Sequence, residues 1–347
     1  MREPGAKLGA MAVLHLKRLA GSPRPTGSIE ATEARHSCTS TLGSLGYRVV
    51  ECPFEYSAAV GLYGTPVAGL IALLVSAAAL GTGRMSVPLI GAAVIVLAGW
   101  WLARYGVLEL RILRRRGINL EARRPDIIPT VWLVAHADSK SQPVPLLVRA
   151  AGIVLLATGW IGALLWSKEW LYLAIGGALP LVASVVGDHS CGAVDNASGV
   201  SAVLCAAELL PAGAPIGILI TDAEELGLAG ARAWCTQNTA AVALNCDGVD
   251  DVGPLTLMWT RPRARRVQEA FRKLARVRVI PLLPGVLVDS LAFSNAGWEA
   301  VTLSRGTLGT LRRIHTTHDD LDHLRGTGIE SAARVLAGAA ITLTEQG

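Results

Sequence analysis

Val131-Trp132-Leu133-Val134-Ala135-His136-Ala137-Asp138-Ser139 is an apolar run that ends abruptly in a histidine, an aspartate and a serine. Consecutive apolar residues without alternation mark a strand buried on both faces, as at the centre of a parallel sheet. Three further runs read the same way: Ile216-Gly217-Ile218-Leu219-Ile220, Ala241-Val242-Ala243-Leu244 and Ala300-Val301-Thr302-Leu303. Around them, Asn196 to Leu210, Leu228 to Cys235, Arg263 to Arg276 and Gly328 to Thr344 have helical composition. Strands alternating with helices predict an α/β fold with a mixed, mostly parallel sheet flanked by helices.

A polar cluster follows each strand. His136-Ala137-Asp138-Ser139 follows the first, Thr221-Asp222-Ala223-Glu224-Glu225-Leu226-Gly227 the second, Asn245-Cys246-Asp247-Gly248 the third and Ile314-His315-Thr316-Thr317-His318-Asp319 the last. Another, Gly192-Ala193-Val194-Asp195-Asn196-Ala197-Ser198-Gly199, precedes a helix. Ligands of open parallel sheets bind beyond the carboxyl ends of the strands, so these segments are expected to converge on one crevice. One histidine and two carboxylates can hold one zinc, and a second histidine, another carboxylate and a shared aspartate can hold its neighbour. Two metals about 3.5–4 Å apart can hold a hydroxide between them and polarise a carbonyl, the chemistry of metal-assisted amide hydrolysis.

The ordered series H-A-D-S, G-A-V-D-N-A-S-G, D-A-E-E-L-G-L-A-G, N-C-D-G and H-T-T-H-D resembles the co-catalytic di-zinc exopeptidase family that includes bacterial leucyl aminopeptidase and glutamate carboxypeptidase. Gly21-Ser22-Pro23-Arg24-Pro25-Thr26-Gly27-Ser28 resembles the loop ahead of that family's first helix. The resemblance covers most of the chain outside its hydrophobic stretches. It implies a zinc exopeptidase (phosphorylase/hydrolase-like) fold, a peptide substrate, two zinc ions per chain and an aminopeptidase reaction. By motif position it implies that His136 and Asp247 bind one zinc, that Glu225 and His315 bind the other, and that Asp195 bridges them. Glu224 falls at the general-base position, taking a proton from the attacking water and passing it to the leaving amine. Asp138 is expected to accept the second ring N–H of a metal-binding histidine and orient it.

Other readings attach to several of these residues. Glu224-Glu225 also suits the positive end of a helix, and Asp195 could cap the helix after it. The H-T-x-x-D pattern favours His315 over His318, leaving His318 and His323 at the surface or the substrate side; His189 reads as a loop residue. Strand alternation points Cys246 away from Asp247 and into packing. Several relatives stabilise the oxyanion with a tyrosine in the C-terminal half, whereas this chain has none after Tyr172, which leaves that donor open. A carboxypeptidase would use Arg305, Arg312 or Arg313 for a substrate carboxylate. A glutaminyl cyclase, with one zinc held by an Asp, a Glu and a His, would not need the His136 and Asp247 pair. A non-catalytic membrane receptor or scaffold of this fold typically loses ligands, and none is missing here.

The rest of the chain points to lipid. Of its 347 residues 51% are hydrophobic and only 17% charged, with a mean hydropathy of +0.43, where a soluble enzyme carries more charge. Thr65 to Gly81 and Val87 to Ala103 flank the turn Gly83-Arg84-Met85; Ala150 to Trp166 and Trp170 to Gly187 flank Ser167-Lys168-Glu169. Each stretch has about the length that crosses ~30 Å of hydrocarbon, which predicts two inserted transmembrane helical hairpins and four spans. Trp100, Trp101, Trp166, Trp170 and Tyr172 sit at span ends, where aromatic rings favour the interface. The expected division is 1–62, 107–143 and 188–347 for the catalytic domain, with hairpins at 63–106 and 144–187.

Hairpins return the chain to the side it left. That side carries Arg104, Arg111, Arg114, Arg115, Arg116, Lys140 and Arg149, against Arg84 and Lys168 in the turns, so the catalytic domain is expected in the cytoplasm. Basic residues gather beside hydrophobic runs and not in an arm or an aromatic-interleaved patch, which argues for a bilayer partner and against nucleic acid. Almost no ionisable residue lies within the spans, which argues against a transporter. Lys17 and Arg18 fall where a signal peptide would need its apolar core, so Met1 to Ala20 does not read as one. The six cysteines, Cys38, Cys52, Cys191, Cys205, Cys235 and Cys246, show no paired spacing and suit a reducing compartment. Nothing in the sequence sets the oligomeric state.

Overall fold

The computed structural model describes residues 4–261, 263–283 and 285–345. Among them are eight strands: β1 (Arg48–Ser57), β2 (Arg114–Arg123), β3 (Val131–His136), β4 (Ile216–Thr221), β5 (Val242–Val249), β6 (Leu255–Trp259), β7 (Arg278–Pro281) and β8 (Glu299–Arg305). They form one sheet in the order β1-β2-β4-β3-β5-β8-β6-β7. The four runs anticipated from the sequence are its centre, β4-β3-β5-β8, all parallel. β2 and β6 join this centre antiparallel.

Side-chain alternation divides the core between the two faces of the sheet. Val131, Leu133 and Ala135 of β3 face one side, with buried residues of the helices Pro4–Leu19, Gly199–Leu209 and Thr327–Glu345. Trp132 and Val134 face the other, with Trp234, Phe293 and Trp298. There Trp132 and Trp234 meet edge-on at 4.7 Å between ring centroids, and Trp298 packs 5.3 Å from Trp234. The first helix buries Leu8, Ala12 and Leu16 in the core. The second, Ile29–Ser44, starts at Ser28, whose hydroxyl accepts the Ala31 N–H at 3.0 Å, a cap contributing about 1 kcal/mol. No disulfide joins the six cysteines.

The chain divides into two compact units, one of Met1–Glu55, Arg116–Lys140 and Asp188–Gly347, the other of Tyr56–Arg115 and Ser141–Gly187. The first contains the central sheet. The second comprises both hydrophobic pairs, with wider bounds than the expected 63–106 and 144–187.

In the second unit, the helix Ala59–Thr82 ends in the anticipated turn at Gly83, whose φ of 69° suits glycine. The return helix starts at Ser86 and stays helical to Glu109, and the second pair begins with Leu146–Leu165. These three helices are long and apolar enough to cross a membrane. Their outer faces expose Leu74, Ile90, Val96, Leu97, Val154 and Leu165, while small residues face inward. A Cβ at Gly159 would come 2.4 Å from the Ala174 nitrogen, so that glycine sets how closely the helices approach. The Trp160 indole donates to Ser76 Oγ at 2.8 Å and satisfies a buried hydroxyl.

The fourth expected span departs from the reading. Trp170 to Gly187 is α-helical only over Leu171–Val182, 12 residues, preceded directly by the 3-10 turn Lys168–Trp170; the α-helical part covers about 18 Å of a ~30 Å core. Pro180 lies in its last turn, and its carbonyl accepts the Ser184 hydroxyl at 2.6 Å where the chain turns away. Hydrophobicity sets burial but not helix length, and here the backbone ends the helix first.

Candidate metal centre

The polar segments converge beyond the carboxyl ends of the central strands. His136 closes β3, Glu224 and Glu225 follow β4, Asp247 lies near the end of β5, and His315 follows the helix Leu308–Arg313. Asp195 sits in the turn ahead of the helix Gly199–Leu209 and takes the middle. Its Oδ1 lies 3.2 Å from His136 Nε2 and its Oδ2 3.0 Å from His315 Nε2. His136 Nε2 is also 3.6 Å from Asp247 Oδ1 and 3.9 Å from Glu224 Oε2. On the other side His315 Nε2 is 3.3 Å from Glu225 Oε2.

These separations suit a tetrahedral ion. Bonds of about 2.0–2.1 Å to zinc place neighbouring ligand atoms roughly 3.3 Å apart. Two groups, His136–Glu224–Asp247 and Asp195–Glu225–His315, each bring their ligand atoms within 4.8 Å of one another. His136 Nε2 and Glu225 Oε1 are buried without a hydrogen-bond partner among the described residues. Leaving such atoms unpaired is costly unless a cation takes them. Imidazole nitrogens and carboxylate oxygens are also the donor types that zinc prefers.

Main-chain clamps hold these ligands in place. The two carboxylate oxygens of Asp138 accept the N–H groups of Glu224 and Glu225, each at 3.1 Å. It is the Asp138 carbonyl, 3.1 Å from His136 Nδ1, that comes nearest the ring, with a carboxylate oxygen at 3.4 Å. The expected orienting role is thus shared by backbone and side chain, while the carboxylate chiefly fixes the glutamate turn. Asp319 repeats the device, accepting the N–H groups of Val194 at 2.7 Å and Asp195 at 3.1 Å. Asn196, and not Asp195, braces the start of the following helix through its side chain: its Oδ1 accepts the Gly199 N–H at 2.9 Å, and its Nδ2 donates to the Cys246 carbonyl at 2.9 Å. A Cβ at Gly199 would lie 2.4 Å from that carbonyl, so only glycine lets the turn reach β5.

The left-handed backbone of Ala223 (φ 55°) and His315 (φ 61°) costs on the order of 1–2 kcal/mol at each residue. Both positions aim a neighbouring or resident side chain into the cluster, where such strain commonly collects.

Burial opposes a charged His136, yet Glu224, Asp138, Asp195 and Asp247 outweigh it and hold its pKa well above the ordinary value. Burial raises Glu224 well above the carboxylate range; His136 opposes this, and Glu225, Asp247 and Asp289 add to it. Burial also works against an ionised Glu225, but Lys140 and His315 pull its pKa down. Burial, with Asp195 adding to it, pushes Asp319 up to about 7 against the N–H groups it accepts.

All seven anticipated residues, His136, Asp138, Asp195, Glu224, Glu225, Asp247 and His315, therefore meet in one place. His189, His318 and His323 are exposed and outside it, and Cys246 is buried in the core. Arg313 pairs with buried Asp250, and Arg305 Nε donates to the Gly253 carbonyl at 3.0 Å. Two of the three arginines considered for a substrate carboxylate are thus engaged elsewhere. Lys140, counted in the sequence as a juxtamembrane charge, instead places Nζ 2.7 Å from Glu225 Oε2.

Residues 120–340 match the sequence profile of peptidase family M28. The chain belongs to that family. This M28 chain is similar in fold to BSAP, a zinc aminopeptidase from Bacillus subtilis, at 15% identity over 96% of this chain and 95% of that one, with a TM-score of 0.60. It is also similar to an aminopeptidase from Aneurinibacillus sp. strain AM-1, at 16% identity over 97% and 93% of the two chains, with a TM-score of 0.59. A glutaminyl cyclase from Bacteroides thetaiotaomicron, bound to N-acetylhistamine, matches at 14% identity over 96% and 97%, with a TM-score of 0.57. A search of curated protein sequences finds no match to this M28 chain.

Sequence reasoning gave no role to three other residues of this M28 site. Asp319 stood in the H-T-T-H-D segment and Arg24 in the loop between the helices Pro4–Leu19 and Ile29–Ser44. Asp289, buried and bonded to the Thr221 hydroxyl, had no motif around it. The first two could have been found by asking what buries a charge beside a ligand; the third is visible only once β4 and the helix Asp289–Asn295 meet.

Proposed function

We propose that the chain is a membrane-anchored, zinc-dependent exopeptidase that removes N-terminal residues from peptides. The observation that carries this reading is Asp195, whose two carboxylate oxygens face one histidine each, as a ligand shared by two ions would. In this reading His136 and Asp247 hold one zinc, Glu225 and His315 the other, and Asp195 bridges them. When bound, the zinc ions polarise the scissile carbonyl and acidify water. Glu224, with the longest separation from His136 of the carboxylates around it, is left to move the proton. It accepts it from the attacking water and returns it to the leaving amine. Asp138 keeps Glu224 and Glu225 in register through their N–H groups.

The engaged Arg305 and Arg313 favour an aminopeptidase over a carboxypeptidase. A cyclase of this fold remains the second reading, supported by the glutaminyl cyclase likeness. Protein purified in detergent is expected to carry about two zinc ions per chain and to cleave an aminoacyl chromogenic substrate, with a peptide library defining the preferred residue. Uptake of less than one ion per chain would defeat the zinc reading, and cyclisation of N-terminal glutamine without peptide cleavage would replace the aminopeptidase one.

We also propose that the apolar helices lie in the cell membrane, with a lipid bilayer and peptides as partners and no nucleic acid. In this reading the fourth hydrophobic stretch enters through the 3-10 turn Lys168–Trp170 and leaves through a non-helical segment after Val182. The excess of arginines beside the hairpins supports a cytoplasmic catalytic part in this reading. A reporter fused at Gly347, which lies outside the described residues, is expected to be active only in its cytoplasmic form; activity of a periplasmic or exterior reporter would reverse the orientation.

A further inference from the structure

Asp319 is 1% exposed and lies on the segment that carries His315. Each of its carboxylate oxygens accepts one N–H of consecutive residues in a different segment, Val194 at 2.7 Å and Asp195 at 3.1 Å, and its carbonyl accepts the Ala193 N–H at 3.2 Å. Three successive N–H groups of the Asp195 turn therefore end on one residue. Asp195 in turn faces His136 with one oxygen and His315 with the other. The other supports of the turn act on other atoms: Arg24 donates to the Cys191 and Gly192 carbonyls, the Ser198 hydroxyl to the Val194 carbonyl at 2.7 Å, and Asn196 to the Cys246 carbonyl, so none of them holds the N–H groups that Asp319 accepts.

Resting on the zinc reading above, we infer that Asp319 is the positioning residue of the bridging ligand. It sets the distance between Asp195 and His315 and so governs both metal positions at once. Asp138 acts elsewhere, on the glutamate turn, and so cannot substitute for it. The arrangement needs a carboxylate: an amide offers one acceptor oxygen, and its NH2 group would face the second N–H donor to donor. A ligand that shifts by a few tenths of an ångström loses coordination, and loss of such outer partners typically costs about 10- to 100-fold in metal affinity.

The test uses the full chain in detergent. Metal is stripped with a chelator, and zinc is titrated back against a chromophoric competitor in wild type, Asp319→Asn and Asp319→Ala. The melting temperature of each metal-free protein is recorded alongside. Both variants are expected to weaken both zinc sites together by at least about tenfold, and the cobalt-substituted Asp319→Asn protein is expected to show an altered visible spectrum. A role confined to stability would lower the melting temperature while leaving the zinc constants and the cobalt spectrum at wild-type values, and that result overturns the inference. Weakening of the His315 position alone also overturns it. Wild-type protein that binds no zinc would overturn the zinc reading and this inference together, whereas normal wild-type uptake with unaltered variants overturns only the inference.

Discussion

Glu224→Gln is expected to lower kcat by about 10^2- to 10^4-fold while zinc content stays at its wild-type level. The replacement keeps size and shape but removes the atom that accepts a proton. Its backbone is fixed by the Asp138 carboxylate through the N–H of residue 224, so the turn and Glu225 should stay in place. The loss corresponds to roughly 3–5 kcal/mol of transition-state stabilisation. Steady-state kinetics with the best aminoacyl substrate, alongside zinc analysis of the same sample, measures both quantities. Turnover within threefold of wild type would remove Glu224 from the reaction. Loss of zinc together with activity would make it a ligand, in keeping with its proximity to His136 and Asp247.

The second large effect concerns Arg24, which is 1% exposed and meets no carboxylate directly. Its guanidinium donates to main-chain carbonyls: Ala137 at 2.9 Å, Cys191 at 2.7 Å, Gly192 at 3.2 Å, and Leu19. Burial lowers its pKa to about 10, with Asp138 and Asp319 acting in the opposite sense. Arg24→Met keeps a flexible apolar stem but strands these carbonyls and removes a buried positive charge that interacts with Asp138 and Asp319. Breaking one partner of a buried charged network costs about 3–5 kcal/mol, or roughly 6–20 °C of melting temperature for a domain of this size. Thermal melts of wild type, Arg24→Met and Arg24→Lys would measure it, the lysine recovering part of the loss. A drop below 2 °C for the methionine would show that the carbonyls find other partners.

The central strands and the order of the ligands were legible because both are local. β3, β4, β5 and β8 are apolar runs, and His136, Glu224, Glu225 and Asp247 lie within a few residues of a strand end, whereas Asp195 and His315 stand beside helices and were legible only from the ordered motifs. The strands β1 and β2, outside the parallel centre, were not legible, since they carry charged and half-exposed residues and become strands only by pairing with neighbours. Asp138 was legible as an important residue but its main contact was not, because two backbone N–H groups leave no trace in side-chain pattern. The same holds for Asp319 and Arg24. Lys140 was read from its distance to a hydrophobic run, whereas its partner Glu225 lies 85 residues away. Helix lengths in the apolar unit followed composition except in the fourth stretch, whose α-helix stops at Val182.

The second apolar insertion begins at Ser141 and closes at Gly187, where the two residues exchange N–H···O bonds of 2.8 Å in both directions. Departure and return therefore occur at a single point, one residue past Lys140 and one before Asp188. An excursion that opens and shuts at one stitch imposes no offset on the strands to either side. The length of the chain between Ser141 and Gly187 is thereby uncoupled from the registers that align the ligands.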